Sequence, residues 1–405
     1  MIRQFFHNML LRRHFWRYAT FSEIAEIYTS RTLRTMAINL AAAMMSVYLY
    51  QNGYNVMFIA GYWAIYYFLK IFMSLPSAKF IAHYGPKHAT LLSNLLYIPA
   101  LVSFTFVPEY GLWPMAITCV LQGLSATIYD VSYLINFSKV KSVANAGKEI
   151  AYMNIFEKLA TGLSPLLGGV VALFFVPEAT MYAASFLFLV ASIPLLLSPE
   201  PTRLKQKLVI RGFVWRTTWR SLAAEAAIGF DIVASGTVWS LLVAIAILGV
   251  TGDEVYAKLG GLLTVVLLAA LVSSYVYGKL IDRRRGGELL RFAVIGKALT
   301  HLLRPFITSI GGAVGINAAN EAASTGYAMA FTRGLFDTAD TSGQRMTYMG
   351  LVNLTANIGA CLSALMVMAM IVVVGSEVDG MRVYFVVAAI VTLGIATAKF
   401  RLYQK

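Results

Sequence analysis

The sequence predicts an all-α membrane protein with about twelve transmembrane helices, arranged as two halves of six. Three observations support this fold class. The 405-residue chain is 59% hydrophobic and 13% charged, with a mean hydropathy of +0.69, whereas soluble domains are about 45–50% apolar. Apolar runs long enough to cross a bilayer recur along the chain. Basic residues cluster in alternate loops between these runs, as in multi-pass membrane proteins.

The predicted spans follow from the length of the apolar runs. About 20 mostly apolar residues cross roughly 30 Å of hydrocarbon, which gives the approximate limits 32–50, 55–80, 89–107, 112–136, 150–175, 179–198, 222–250, 257–280, 290–309, 312–333, 346–373 and 381–400. The predicted domains are a cytoplasmic amphipathic segment over 1–31, an N-terminal six-helix half over 32–198, a cytoplasmic linker over 199–221 and a C-terminal six-helix half over 222–405. The first segment places apolar residues beside arginines at helical spacing, which is typical of a helix on a membrane surface.

The formal net charge of +14 fits the positive-inside rule rather than nucleic-acid binding, because the basic residues lie in short clusters between spans. One set of loops holds Lys79, Lys87 and Arg283, and the opposite set holds Glu109 and Glu178. Both termini are therefore expected in the cytoplasm, with the protein embedded in the bilayer of the cell membrane.

A charged turn between spans eight and nine reads Gly278-Lys279-Leu280-Ile281-Asp282-Arg283. Gly278 allows close helix approach, and the arginines resist crossing the bilayer. The turn resembles the loop signature of the major facilitator superfamily of secondary transporters. An ordinary basic anchor is the alternative interpretation. The matching first-half segment carries Ala78 and Ala82 where the signature has Gly and Asp.

Two further segments are similar to motifs of the same family. In span four, Gln122-Gly123 follows Cys119, which occupies the position of a family Arg associated with proton handling. In span five, Ser164-Pro165-Leu166-Leu167-Gly168-Gly169 is similar to a Gly-Pro-x-x-Gly-Gly motif that is commoner among exporters. The resemblance implies two six-helix halves around a central cavity. It also implies that Asp282 braces a cytoplasmic gate at the start of span five.

Polar side chains inside spans are costly and usually face a protein interior or a wet cavity. They concentrate in spans one, four, seven and ten, which the resemblance places around the cavity. The candidate substrate-cavity residues are Asn39, Gln122, Tyr129, Asp231, Trp239, Asn317 and Glu321.

The ionisable residues within the spans suggest coupling to a proton or a cation. Asp231 and Glu321 are the candidates, because a carboxylate there can bind a cation or take up a proton. For Glu321 the equally weighted alternative is a buried ion pair with Lys297 or Arg304 of span nine. Lys158 is expected to extend its amine to the interface.

Together with these polar faces, the resemblance implies a non-enzymatic permease that moves a small solute by alternating access. The expected coupling ion is a proton or cation, efflux is the favoured direction, and a monomer is expected. No cofactor or metal is expected, since His301 lacks partners at metal-ligand spacing and no phosphate-binding loop is present. The alternative is a transport-inactive membrane receptor or assembly partner, which the altered first-half turn and Cys119 would suit.

Overall fold

The structure is a computed structural model that describes residues 21–140, 146–196, 208, 210–249, 254–283 and 285–403. Residues 1–20 of the predicted surface segment, and residues 199–207 and 209 of the predicted linker, lie outside these residues. Twelve long helices form the described part of the chain: α1 (Phe21–Gln51), α2 (Val56–Tyr84), α3 (Pro86–Thr105), α4 (Leu112–Val140), α5 (Ala146–Phe174), α6 (Pro177–Ser192), α7 (Trp215–Leu248), α8 (Glu254–Asp282), α9 (Gly286–Leu303), α10 (Ile310–Ser342), α11 (Arg345–Val374) and α12 (Glu377–Thr392). The predicted all-α fold class is confirmed.

Eight of the described helices are long and apolar enough to cross a membrane by length and composition. The other four are α1, α3, α9 and α10. Charged or amide side chains lower the hydropathy of three of them, for example Arg34 in α1, Lys297 in α9 and Asn317 in α10. Three of the four helices that do not meet the hydropathy criterion are therefore helices that carry polar groups into the bundle.

The two halves of the bundle meet along two helix pairs. Helix α2 packs along α11, and α5 packs along α8. Small residues allow the α5–α8 backbones to approach closely, since a Cβ at Gly169 would lie 2.6 Å from the Tyr256 carbonyl oxygen and one at Gly260 would lie 2.2 Å from that of Pro165. Gly168 packs similarly against Leu40 of α1. The small residues of the fifth-helix segment therefore lie at helix contacts on both sides of α5.

Buried apolar residues form two clusters, one toward each end of the bundle. We call one end the acidic end, because Glu109 lies in one of its connections and Glu178, Glu254 and Glu377 lie in the first turns of helices that begin there. The other is the basic end, which carries Lys79, Lys87, Arg283 and Arg285. At the acidic end the Val56 amide donates to Glu377 Oε1 at 3.0 Å. The polar groups described next lie largely between the two clusters.

Helix α7 changes its winding at the level of the polar groups. It is α-helical to Ile232 and then π-helical over Val233–Val238 and Val243–Leu248. A π-helical turn is wider than an α-helical one and is frequent at functional sites. The first such turn contains Ser235, Gly236 and Thr237, all of which line the central cavity.

Candidate functional site: a central cavity between the halves

A cavity of about 510 Å³ lies between the two halves. Its wall is contributed by α1, α2, α3, α4 and α5 on one side and by α7, α8 and α10 on the other. On α2, Trp63, Tyr66 and Tyr67 lie three and four residues apart, so one helix face presents an aromatic surface. On α5, Lys158 and Pro165 share a face at seven-residue spacing. On each of these two helices, the residues named here therefore lie on one helix face that lines the cavity.

One ion pair crosses the cavity and joins the two halves. Lys158 Nζ of α5 lies 2.6 Å from Glu321 Oε1 of α10, and the two side chains are 23% and 20% exposed. Thr325 Oγ1 also donates to Glu321 Oε1, at 3.4 Å. Among the described residues that line the cavity, Lys158 and Glu321 alone bear a formal charge. The wall therefore has no net charge while this pair is ionised.

The first-half wall offers amide and hydroxyl groups. Gln122 Nε2 donates to the Tyr97 hydroxyl at 2.6 Å, and Gln122 Oε1 accepts no hydrogen bond from the described residues. The Trp63 indole donates to Ser46 Oγ at 3.0 Å. Asn39 Nδ2 is bonded to the Thr35 carbonyl of its own helix at 2.8 Å. These contacts leave Gln122 Oε1 as a buried acceptor without a partner among the described residues.

A second charged cluster is buried inside the C-terminal half. Asp231 Oδ1 lies 3.2 Å from Lys297 Nζ and 2.7 Å from His301 Nε2, and Oδ2 accepts from the Tyr327 hydroxyl at 2.5 Å. Arg304 Nη1 lies 3.0 Å from His301 Nδ1. Since Arg is always a donor, His301 accepts through Nδ1 and donates through Nε2 to the carboxylate. This cluster ties α7, α9 and α10 together.

Lys297 of this cluster also donates to three polar side chains, one of which lines the cavity. Its ammonium donates to Asn320 Oδ1 at 2.6 Å, Ser324 Oγ at 2.8 Å and Ser235 Oγ at 2.8 Å. Ser235 in turn donates to Asp231 Oδ1 at 3.0 Å and lines the cavity. Asp231 and Lys297 are therefore separated from the cavity by a layer that includes Ser235.

The N-terminal half has its own buried cation. Arg34 of α1 donates from Nη1 to Asn94 Oδ1 at 2.6 Å, and its guanidinium carbon lies 3.9 Å from the centre of the Tyr129 ring. The contact with the ring is a cation–π interaction. The Tyr129 ring thus packs against Arg34, although Tyr129 was predicted to line the cavity.

The remaining polar contacts stabilise helix packing. Lys70 pairs with Asp130 at 3.2 Å between α2 and α4. Ser74 of α2 donates to Asn353 Oδ1 of α11 at 2.9 Å, and Asn357 Nδ2 donates to the same oxygen at 3.0 Å. The latter group joins the two halves through hydrogen bonds between helices.

The predicted cavity residues separate into two groups. Asn39, Gln122 and Glu321 line the cavity. The other four are not among its lining residues, and they are Tyr129, Asp231, Trp239 and Asn317. Trp239 Nε1 donates to Asn317 Oδ1 at 2.6 Å, so these two satisfy each other inside the C-terminal half. Helical spacing identifies a polar face but does not say whether it meets solvent or another helix.

Three ionic assignments differ from the sequence analysis. Lys158 pairs with Glu321 across the halves instead of reaching the interface. Lys297 pairs with Asp231 instead of Glu321. His301, which the sequence presents as isolated, contacts the same aspartate. These partners are more than 60 residues apart in the chain, so only the packing of the helices brings them together. Lys158, Thr161 and Pro165 all line the cavity and lie three and four residues apart, so they share one face of α5. This spacing is visible in the sequence and could have predicted that α5 contributes to the cavity wall.

The turn at the end of α8 lies away from the cavity. Gly278 is buried, whereas Asp282 and Arg283 are exposed at the basic end. The residues at the start of α5, against which Asp282 was expected to brace, are outside the described side chains. The bracing role of Asp282 stays a prediction.

Comparison with known proteins agrees with this architecture. The human organic anion transporter MFSD10 superposes with a TM-score of 0.71 at 11% sequence identity, over 93% of this chain and 98% of that one. The E. coli fucose:proton symporter FucP gives a TM-score of 0.66 at 13% identity over 93% and 98%. The nucleoside transporter NupG gives 0.69 at 11% identity over 93% and 99%. At these identities the similarity establishes the fold.

Comparison with curated proteins gives no sequence match. The family model described as Major Facilitator Superfamily matches residues 27–364, which is most of the chain. This match agrees with the paired halves and with the cavity between them. The chain belongs to the Major Facilitator Superfamily of membrane transporters, and it is a secondary transporter of a solute rather than an enzyme.

Proposed function

We propose that the chain exports a small polar solute in exchange for a proton or cation, with the central cavity as the binding site. The Lys158–Glu321 ion pair carries this proposal, because it lies on the cavity wall and joins the two halves. Alternating access requires the halves to move relative to each other around the site. A contact that spans them must therefore break and re-form in each transport cycle.

Glu321 is the coupling residue that we propose, in preference to Asp231. A proton or cation that neutralises Glu321 weakens its attraction to Lys158. Asp231 already accepts from Tyr327 and Ser235 and lies beside Lys297 and His301 behind the cavity wall. When a solute and an ion compete for one carboxylate, the two are carried in opposite directions, because each bound form excludes the other.

Export, the cell membrane and a cytoplasmic basic end remain part of the same proposal. Export is favoured by the segment Ser164–Gly169, and the orientation is favoured by the distribution of basic residues between the two ends. A transport-inactive receptor would not need a mobile ion pair at the wall of a cavity.

Neutralising the Lys158–Glu321 pair is expected to change the balance between the two access states. We expect the double variant Lys158→Met/Glu321→Gln to alter the population ratio by about tenfold, which corresponds to about 1.4 kcal/mol. The measurement is the distance between spin labels in a variant with Cys119 and Cys361 replaced by alanine. One label pair joins exposed positions at the basic end (88 and 341), and the other joins positions at the acidic end (109 and 379).

The two distances should change in opposite senses if access alternates. The control is Glu254→Gln/Lys258→Met, which neutralises an exposed pair within α8 and should leave the ratio unchanged. A single distance distribution at each end, identical in all variants, would contradict the proposal and favour the receptor.

Coupling is expected to depend on Glu321. In vesicles with an imposed pH gradient, we expect Glu321→Gln to lose gradient-driven flux by at least about tenfold, because the carboxylate at which the solute and the proton compete is gone. The solute would be found by thermal-shift screening of the purified protein. Asp231→Asn should retain the dependence on the gradient. Equal gradient-driven flux in wild type and both variants would exclude coupling through either carboxylate.

A further inference from the structure

The described residues of the cavity wall present one cationic and one anionic group, Lys158 and Glu321, which belong to opposite halves. We infer that the solute is a zwitterion, whose cationic group binds Glu321 and whose anionic group binds Lys158. This inference rests on the proposed function and specifies its substrate class. The direct bond between Lys158 and Glu321, at 2.6 Å, is the arrangement that such a solute would replace.

Three other charged pairs of the bundle lie away from the cavity, so a solute in the cavity does not meet them. Asp231 with Lys297, Arg31 with Glu157, and Lys70 with Asp130 each join helices of the same half, and none of these residues lines the cavity. Asp231 and Lys297 are almost fully buried, with side-chain exposures of 3% and 0%. Only the Lys158–Glu321 pair combines exposure to the cavity with a connection between the halves among the described residues.

The energetics of the pair select for a solute with both charges. An anion that binds Lys158 leaves the Glu321 carboxylate unpaired, and a cation that binds Glu321 leaves the ammonium of Lys158 unpaired. Leaving either charge unpaired in this largely enclosed site is costly, and charges within the hydrocarbon region are costly in general. A neutral solute leaves the bond in place. A zwitterion supplies a partner to each residue and releases the halves from each other.

The rest of the wall suits the body of such a solute. Trp63, Tyr66 and Tyr67 provide aromatic surface, and the polar residues Asn39 and Gln122 also line the cavity. The cavity volume of about 510 Å³ lies within the roughly 300–1,000 Å³ of small-molecule sites. We therefore expect an amino-acid-like zwitterion, in which one or two carbons separate the charges and an apolar or aromatic group fills the remaining space.

The test uses matched probes that differ only in charge. The aromatic set is phenylalanine, 3-phenylpropionate and phenethylamine, and the small set is alanine, propionate and ethylamine. Binding to the purified full-length protein is measured by calorimetry and thermal shift. In at least one set we expect the zwitterion to bind at least about tenfold more tightly than both analogues.

Two variants identify which residue recognises which charge. Glu321→Gln should remove the preference for the zwitterion over the anionic analogue, and Lys158→Gln should remove the preference over the cationic analogue. Lys258→Gln, which removes an exposed cation outside the cavity, should keep both preferences. A merely structural role would weaken all three probes equally and would overturn the inference.

The remaining outcomes separate this inference from the proposed function. Tighter binding of the anionic analogue, only at acidic pH, would overturn the zwitterion class in favour of an anion carried with a proton. Failure of every zwitterion to bind, while the label distances still alternate, would also overturn the class but leave transport in place. Failure of both binding and alternation would remove the proposed function itself.

Discussion

Replacing Asp231 by alanine is expected to lower the free energy of unfolding by about 3–5 kcal/mol, because it leaves the ammonium of Lys297 without its carboxylate in a buried site. Lys297 is fully buried, and its nitrogen lies 3.2 Å from Asp231 Oδ1. The Tyr327 hydroxyl and the His301 ring also lose the acceptor that they share. The measurement is equilibrium unfolding of the purified protein in detergent, followed by tryptophan fluorescence.

The double variant Asp231→Ala/Lys297→Met is the control for the charge. It removes the unpaired ammonium while keeping a side chain of similar length, so part of the lost stability should return. An equal loss of stability in the single and the double variant would show that the charge on Lys297 is not the cause. The result bears on function because a residue that holds α7, α9 and α10 together has a role distinct from a mobile coupling site.

Adding one methyl group at Gly359 is expected to destabilise the contact between α7 and α11 strongly. A Cβ there would lie 1.7 Å from the Ala226 carbonyl oxygen, and one at Gly229 would lie 1.8 Å from that of Ala356. Both contacts are with backbone atoms, which cannot move aside as a flexible side chain can. Overpacking a tight core typically costs about 1–3 kcal/mol and occasionally more, and we expect Gly359→Ala to lie at or above the top of this range.

The matched control for Gly359→Ala is Gly315→Ala in α10, where a Cβ meets nothing within 4 Å. In a helix alanine is favoured over glycine by about 1 kcal/mol, so this variant should be neutral or slightly stabilising. The measurement compares the midpoints of thermal unfolding of the two variants in the same detergent. Similar midpoints for the two would mean that the α7–α11 backbones are not in contact.

Much of the fold could be predicted from the sequence because the bilayer imposes its own rules. Runs of about 20 apolar residues must be helical, and the count of about twelve followed from their number. Helical spacing also identified Asn39, Gln122 and Glu321, which line the cavity. The aromatic face of Trp63, Tyr66 and Tyr67 had the same spacing, but aromatic residues within an apolar span are more often packing residues.

The sequence by itself determined which helices carry polar faces, whereas only the tertiary structure decided which polar groups face each other. Asp231 and Glu321 look alike in sequence, since each is a carboxylate within a predicted span. Packing places Asp231 beside Lys297 and His301 within one half, and places Glu321 beside Lys158 of the other half. The period of a helix fixes the direction of a side chain relative to its own axis. Which partner lies in that direction depends on contacts between residues far apart in the chain.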